Sequence, residues 1–216
     1  MSSIAIIGGH GKVGLRLSRL LAEAGHDVTS WVRDPQQGAD VESTGASVAV
    51  LDVEQLSAAE MTEALRGQEV VVWSAGAGGG SPARTVAVDR DAAVRSMEAA
   101  AAAGARRFVM VSYFGAGEQD LPEGDPFRVY AQAKAAADAA LRGSTLEWTI
   151  LGPSSLTDEP GTGMVEVGSA GSEVRASEVS RDDVAAVAAY VIDHASTVHR
   201  TIAFNAGTTP IPDALA

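Results

Sequence analysis

The chain has 216 residues, 46% of them apolar, enough for a buried core in one domain-sized unit. A formal net charge of −12 argues against non-specific binding to nucleic acid or an anionic membrane. The chain has no cysteine, which excludes disulfides, thiol catalysis and thiolate metal sites.

Ile4-Ala5-Ile6-Ile7 is a continuous apolar run that predicts a buried parallel strand. It passes at once into Gly8-Gly9-His10-Gly11-Lys12-Val13-Gly14, whose Gly8, Gly11 and Gly14 stand three apart. Gly8 permits a tight turn off the strand. Gly11 lets a pyrophosphate approach bare backbone, and Gly14 lets the next helix pack close to the strand. That helix presents free N–H groups and partial positive charge to the phosphates. With only four apolar residues and no basic flank, the start of the chain does not read as a signal peptide, and a cytoplasmic protein is expected.

Val13, Leu17, Leu20, Leu21 and Ala24 recur at helical spacing before Gly25. Asp27 to Val32 reads as a second strand ending in Arg33-Asp34-Pro35. At this position a carboxylate selects NAD through the ribose 2′-OH, and a basic residue selects NADP through the 2′-phosphate. Arg33 points to NADP(H) over NAD(H). Asp34 takes the acidic role if the strand runs one residue longer, and Arg33 is otherwise an ordinary solvated charge. A third strand, Val48 to Leu51, ends in Asp52-Val53, where the carboxylate either meets adenine or caps the next helix, about Leu56 to Leu65.

Glu69 to Ser74 is a fourth strand, and the run Ala75 to Gly80 after it lets a ligand pass close to the backbone or forms a loose loop. An Ala-rich helix is expected from about Pro82 to Ala103; such helices pack on their own sheet or pair between subunits, so monomer and homodimer stay open. Arg106 to Ser112 is strand five, Tyr113 to Pro126 a loop, Phe127 to Leu141 a helix, and Glu147 to Leu151 strand six. Ser154 to Ser177 reads as irregular, with a short strand at Met164 to Val167. Ser180 opens a helix through Val184, Val187, Ala188, Val191 and Ile192, and Thr201 to Phe204 is a last strand.

This alternation predicts an α/β fold with a doubly wound parallel sheet of order 3-2-1-4-5-6 and a seventh strand, as one domain over 1–216, with about 152–180 forming a small substrate-side lobe. Ligands belong at the strands' C-terminal ends. There, Tyr130 and Lys134 stand four apart on one helix face. An ammonium beside a phenol lowers its pKa and readies it for proton transfer, and Ser112 at a strand end can hold the same substrate oxygen. The alternative is an ordinary surface Tyr/Lys pair. The four histidines show no metal-ligand spacing.

The glycine turn, Trp31-Val32-Arg33-Asp34-Pro35, Val111-Ser112, Tyr130-Ala131-Gln132-Ala133-Lys134 and Thr149-Ile150-Leu151-Gly152-Pro153-Ser154 resemble the atypical short-chain dehydrogenase/reductase family over nearly the whole chain. The family includes epimerase-like proteins, flavin and biliverdin-IXβ reductases and NmrA-like sensors. The resemblance implies a Rossmann fold and an NADP(H)-dependent oxidoreductase acting on a small carbonyl, quinone or flavin-like substrate. An NADP(H) sensor without turnover and a nucleotide-sugar epimerase-like enzyme are the alternatives. It implies Tyr130, Lys134 and Ser112 as the catalytic set. Gly8, His10, Gly11, Lys12, Val13, Arg33, Asp52, Val53, Ala75, Gly76 and Pro153 are implied around the cofactor, with Pro153 in a turn beside the nicotinamide. Many relatives carry Arg before that proline, where this chain has Gly152.

Overall fold

Strand β1 (Ser3–Ile7) is buried from its second residue onward. Successive side chains of a strand face opposite ways, and here they enter two different cores. Ile4 and Ile6 pack with Val13, Leu17 and Val184, whereas Ala5 and Ile7 pack with Trp31, Met61 and Trp73. A strand covered on both faces must be apolar throughout, which explains the unbroken run. Each such fully buried aliphatic side chain contributes roughly 1.5–3 kcal/mol.

In a computed structural model describing residues 1–78, 81–117, 121–168 and 174–216, the other strands are β2 (Asp27–Val32), β3 (Ser47–Val50), β4 (Val70–Trp73), β5 (Arg107–Val111), β6 (Glu147–Pro153), β7 (Ser155–Thr157), β8 (Met164–Gly168), β9 (Glu178–Ser180), β10 (Arg200–Ala206) and β11 (Thr209–Pro210). The helices are α1 (Lys12–Glu23), α2 (Gly38–Glu42), α3 (Ala58–Ala64), α4 (Pro82–Thr85), α5 (Ala93–Ala103), α6 (Arg128–Arg142), α7 (Arg181–Asp193) and α8 (Ile211–Leu215). Seven strands run parallel in the order β3-β2-β1-β4-β5-β6-β10, the expected doubly wound order with β10 as the seventh. Strand β8 then adds antiparallel to β10, and β11 antiparallel to β8. One face carries α1 and α7 through Leu17, Leu21, Val184 and Val191; the other carries α3, α5 and α6 through Met61, Met97, Ala137 and Leu141. The winding reverses between β1 and β4, which opens a crevice at their C-terminal ends.

Two stretches differ from expectation. The helix expected over 82–103 is interrupted by a wider π-wound segment, Val86–Ala92, which turns Val88, Asp89 and Ala92 inward. The 154–177 stretch is more regular than expected, since β7 pairs in parallel with β9 and the strand foreseen at 164–167 is β8. Gly79 and Gly80, residues 118–120 of the 113–126 loop and residues 169–173 lie outside the described residues. No helix among the described residues is long and apolar enough to cross a membrane.

Candidate active site

The turn after β1 is built by contact as much as by conformation. Gly8 has φ +91°, and a Cβ there would lie 2.6 Å from the Ala75 nitrogen, so the turns after β1 and β4 touch through it. A Cβ on Gly14 would lie 2.5 Å from the Gly8 carbonyl oxygen. Only glycine lets α1 begin this close to the strand end. Gly11 is the helix N-cap and supplies no side-chain cap, and the first turn of α1 carries no acidic residue. Its leading N–H groups are therefore available to an anion.

Two cavities meet along this turn, sharing Gly11 and residues 74–78. The smaller, about 420 Å³, is lined by Gly8, His10, Trp31, Arg33, Asp52 and Val53 among others. Arg33 is exposed at its rim. The neighbouring Asp34 is turned away, its Oδ1 accepting from the Gln36 backbone N–H at 2.9 Å to cap the short 3₁₀ turn Pro35–Gln37. Asp52 likewise holds the Glu54 N–H at 3.0 Å, while the following helix α3 is capped by Ser57 and Glu60 instead. His10 Nε2 lies 2.8 Å from Asp40 Oδ2.

The larger cavity, about 830 Å³, is lined by apolar Val13, Val111, Phe127 and Leu156, by Tyr130, and at its base by Ser112, Lys134 and Asp89. Tyr113, Phe127 and Tyr130 form an aromatic cluster beside it, with ring centroids 5.2–5.7 Å apart. Lys12 Nζ and Arg181 Nη1 reach the two carboxylate oxygens of Asp158 at 2.5 and 3.0 Å. The Lys12 hydrogen bond is the main reason that carboxyl titrates below its ordinary range.

Beneath the larger cavity lies a buried charged cluster. Lys134 Nζ donates to the Val111 carbonyl at 2.7 Å. Asp89 Oδ2 accepts the Ala77 N–H at 3.0 Å, and the Ser112 hydroxyl donates to Asp138 Oδ2 at 2.6 Å. Burial raises the pKa of both Asp89 and Asp138, with Lys134 opposing it in each case. Burial lowers that of Lys134 against the pull of the two carboxylates.

A family model for NAD(P)H-binding proteins matches residues 8–195. The chain belongs to the NAD(P)H-binding family. A Bacillus subtilis relative named as an uncharacterized sugar epimerase, YhfK, is 36% identical over 98% of both chains. The solved structure of a putative NAD-dependent epimerase/dehydratase from Bacillus halodurans superposes with a TM-score of 0.91 at 31% identity, covering 100% of this chain and 99% of that one. The oxidoreductase ylbE of Lactococcus lactis matches with a TM-score of 0.87 at 28% identity, covering 99% and 94%.

In this NAD(P)H-binding protein the residues expected around the dinucleotide do converge, except Pro153. That residue is a buried strand position facing Phe204 in register, not a turn, and its carbonyl accepts the Phe114 N–H at 2.9 Å. The Gly152 beside it is closely packed, a Cβ there lying 3.1 Å from the Tyr113 carbonyl oxygen. The expected lowering of the Tyr130 pKa is reversed in the structure. Tyr130 and Lys134 share a helix face and a cavity, but the phenol pKa is raised, not lowered, first by burial and then by Asp89, Tyr113 and Asp138. The Lys134 ammonium donates one hydrogen bond to a main-chain carbonyl, and the Ser112 hydroxyl donates to Asp138.

Three contributors went unforeseen. Arg84 donates to the Ala77 carbonyl at 2.9 Å and to Glu54 at 3.2 Å, bracing the rim of the smaller cavity. Asp89 holds the N–H of the same Ala77. Asp138 follows Lys134 by four residues on the same helix, a spacing that could have revealed it.

Proposed function

We propose that the protein is an NADP(H)-dependent reductase of a small carbonyl, quinone or flavin-like acceptor. The observation that carries the cofactor preference is the pair Arg33 and Asp34: the exposed guanidinium lines the smaller cavity and has no hydrogen-bond partner among the described residues, while the adjacent carboxylate is held in a backbone cap. The glycine turn and the uncapped start of α1 would hold the diphosphate, with Asp52 and Val53 beside the adenine. When bound, the cofactor supplies a hydride. The apolar, aromatic-sided cavity beyond the turn suits a flat or compact acceptor, which Val13, Phe127 and Tyr130 would orient and shield from water.

Tyr130 stays protonated at neutral pH, so it can hold or give a proton but is a poor base. Lys134 donates to the Val111 carbonyl and not to Tyr130 among the described residues, and this favours a dinucleotide sensor as the second reading.

Fluorescence titration with NADPH and NADH, followed by NADPH oxidation with quinone, flavin and carbonyl acceptors, tests the reading. NADPH should bind more tightly than NADH. Arg33→Ala should cost NADPH about tenfold to a hundredfold, as loss of one charge-assisted phosphate contact would, and leave NADH unchanged. Equal loss for both cofactors would overturn the preference, and tight binding without turnover of any acceptor would favour the sensor.

A further inference from the structure

Ser112 faces the larger cavity on one side and Asp138 on the other. Asp138 is fully buried, and its Oδ1 has no hydrogen-bond partner among the described residues. Its surroundings combine Ser112, Lys134 and Arg142 with the rings of Tyr113 and Tyr130. Beyond Lys134 lies Asp89. Two carboxyl groups thus flank one fully buried ammonium, with Arg84 acting on Asp89 and Arg142 on Asp138 as further positive charges. An ionised Asp138 would bury a negative charge with one oxygen unpartnered among the described residues, at a desolvation cost that the surrounding cations offset only in part. One proton removes that charge. Asp89 accepts a backbone N–H, which favours its ionised form. Asp138 has an unmatched oxygen and a hydroxyl neighbour whose hydrogen can rotate. A protonated Asp138 donates to Ser112 Oγ and frees the serine hydrogen to point into the cavity.

We propose that Asp138 stores a proton and passes it through Ser112 to the substrate atom made basic by reduction. The inference rests on the reductase reading above. The hydride carries both electrons. The relay accounts for the proton alone: the Ser112 O–H bond breaks as a substrate O–H or N–H bond forms, and the Asp138 O–H bond breaks as the serine bond is restored. Asp138 is left as a carboxylate beside Lys134 and regains its proton from solvent between turnovers. Ser112 is the residue that touches substrate; Asp138 acts through it.

The first readout needs no cofactor or turnover. Infrared spectra of the wild-type protein at neutral pH should contain a protonated-carboxyl band that Asp138→Asn removes and Ser112→Ala shifts. Absence of that band from the wild type would overturn the proposal. The second readout is NADPH oxidation with the best quinone or flavin acceptor. Ser112→Ala and Asp138→Asn should each lower kcat on the order of a hundredfold, the scale of losing a positioned proton donor. The double variant should be no worse than either single one, because the two groups act as a unit. NADPH affinity should be unchanged, Ser112→Thr should restore part of the rate, and the fall of kcat at alkaline pH should vanish in Asp138→Asn. Undiminished turnover in Asp138→Asn would defeat the relay and leave the reductase reading intact. Tight NADPH binding with no acceptor reduced would defeat both. Ser112→Ala still decides the matter if Asp138→Asn does not fold.

Discussion

A buried charged cluster lies at each end of strand β5, and the two are matched very differently. At its start Arg107, 6% exposed, donates through Nη1 to the Glu147 carbonyl at 2.7 Å. Its Nη2 reaches Thr149 Oγ1 at 2.6 Å, the Val191 carbonyl at 2.8 Å and Thr197 Oγ1 at 3.1 Å. Burial lowers its pKa to about 10, so it remains charged at neutral pH. It fastens β5 and β6 to the end of α7. At the other end, toward the cavities, Lys134, Asp138 and Asp89 sit together and one Asp138 oxygen has no partner among the described residues. A charge whose hydrogen-bond partners are all carbonyls and hydroxyls that keep their protonation has one stable state. A charge among groups of variable protonation has several, and those suit proton transfer.

Arg107→Met should break the first cluster with the largest effect. Two carbonyls and two hydroxyls would lose a charged donor, offset partly by removing a buried cation, for a net loss of about 3 kcal/mol. For a chain of this size that lowers Tm by roughly 6–12 °C. NADPH affinity should stay within about twofold, since the cavities lie at the opposite strand ends. Thermal melts and a fluorescence titration check both halves, and a matching loss of affinity would erase the distinction between the ends.

Lys134→Met should be milder, about 1–2 kcal/mol, because losing the Val111 bond is partly offset by removing the desolvated ammonium. Its signature is in the pH dependence. Asp89 and Asp138 already titrate above their ordinary 3.8 in the folded state. The folded protein therefore binds protons more tightly than the unfolded one, and these groups' contribution to stability falls as pH rises from 3.8 through the folded pKa. Removing the cation pushes both pKa values further up and extends that window. Tm measured from acidic to neutral pH should fall more steeply in the variant than in the wild type; parallel curves would show that Lys134 is not electrostatically coupled to the pair.

The parts of this arrangement legible in the sequence are those set by local chemistry. The glycine turn and the strand–helix alternation define the parallel order, because each glycine meets backbone only a few residues away or on the adjoining strand. The Arg33/Asp34 ambiguity had a local answer as well, since Asp-Pro-Gln-Gln is a turn-capping pattern that occupies the carboxylate. Spacing placed Tyr130 and Lys134 on one face but says nothing of depth. Lys134 is buried on its Val111 carbonyl bond and beside Asp138 and Asp89, the last contributed from a distant π-wound segment, and no periodicity in the Ala-rich stretch announces that change of winding. Pro153 was misplaced for a similar reason: whether a strand ends at Leu151 or runs on beside Phe204 depends on a partner fifty residues downstream.

The finest test of the comparison is at Asp89, where charge and hydrogen bond can be separated. Asparagine keeps an oxygen able to accept the Ala77 N–H but removes the negative charge; alanine removes both. If the carboxylate matters to the dinucleotide mainly by holding the turn after β4, Asp89→Asn should change NADPH affinity by less than about threefold, while Asp89→Ala should weaken it about fivefold to tenfold, the worth of one buried hydrogen bond. The charge should be felt elsewhere. Asp89 is one of the groups raising the pKa of Tyr130, so both variants should bring the slowest-titrating tyrosine to lower pH in an ultraviolet titration, and by similar amounts. Equal affinity loss in the two variants would mean that the charge and not the bond supports the turn, and the ligand-binding end of β5 would then depend on its ionisation state even before a substrate arrives.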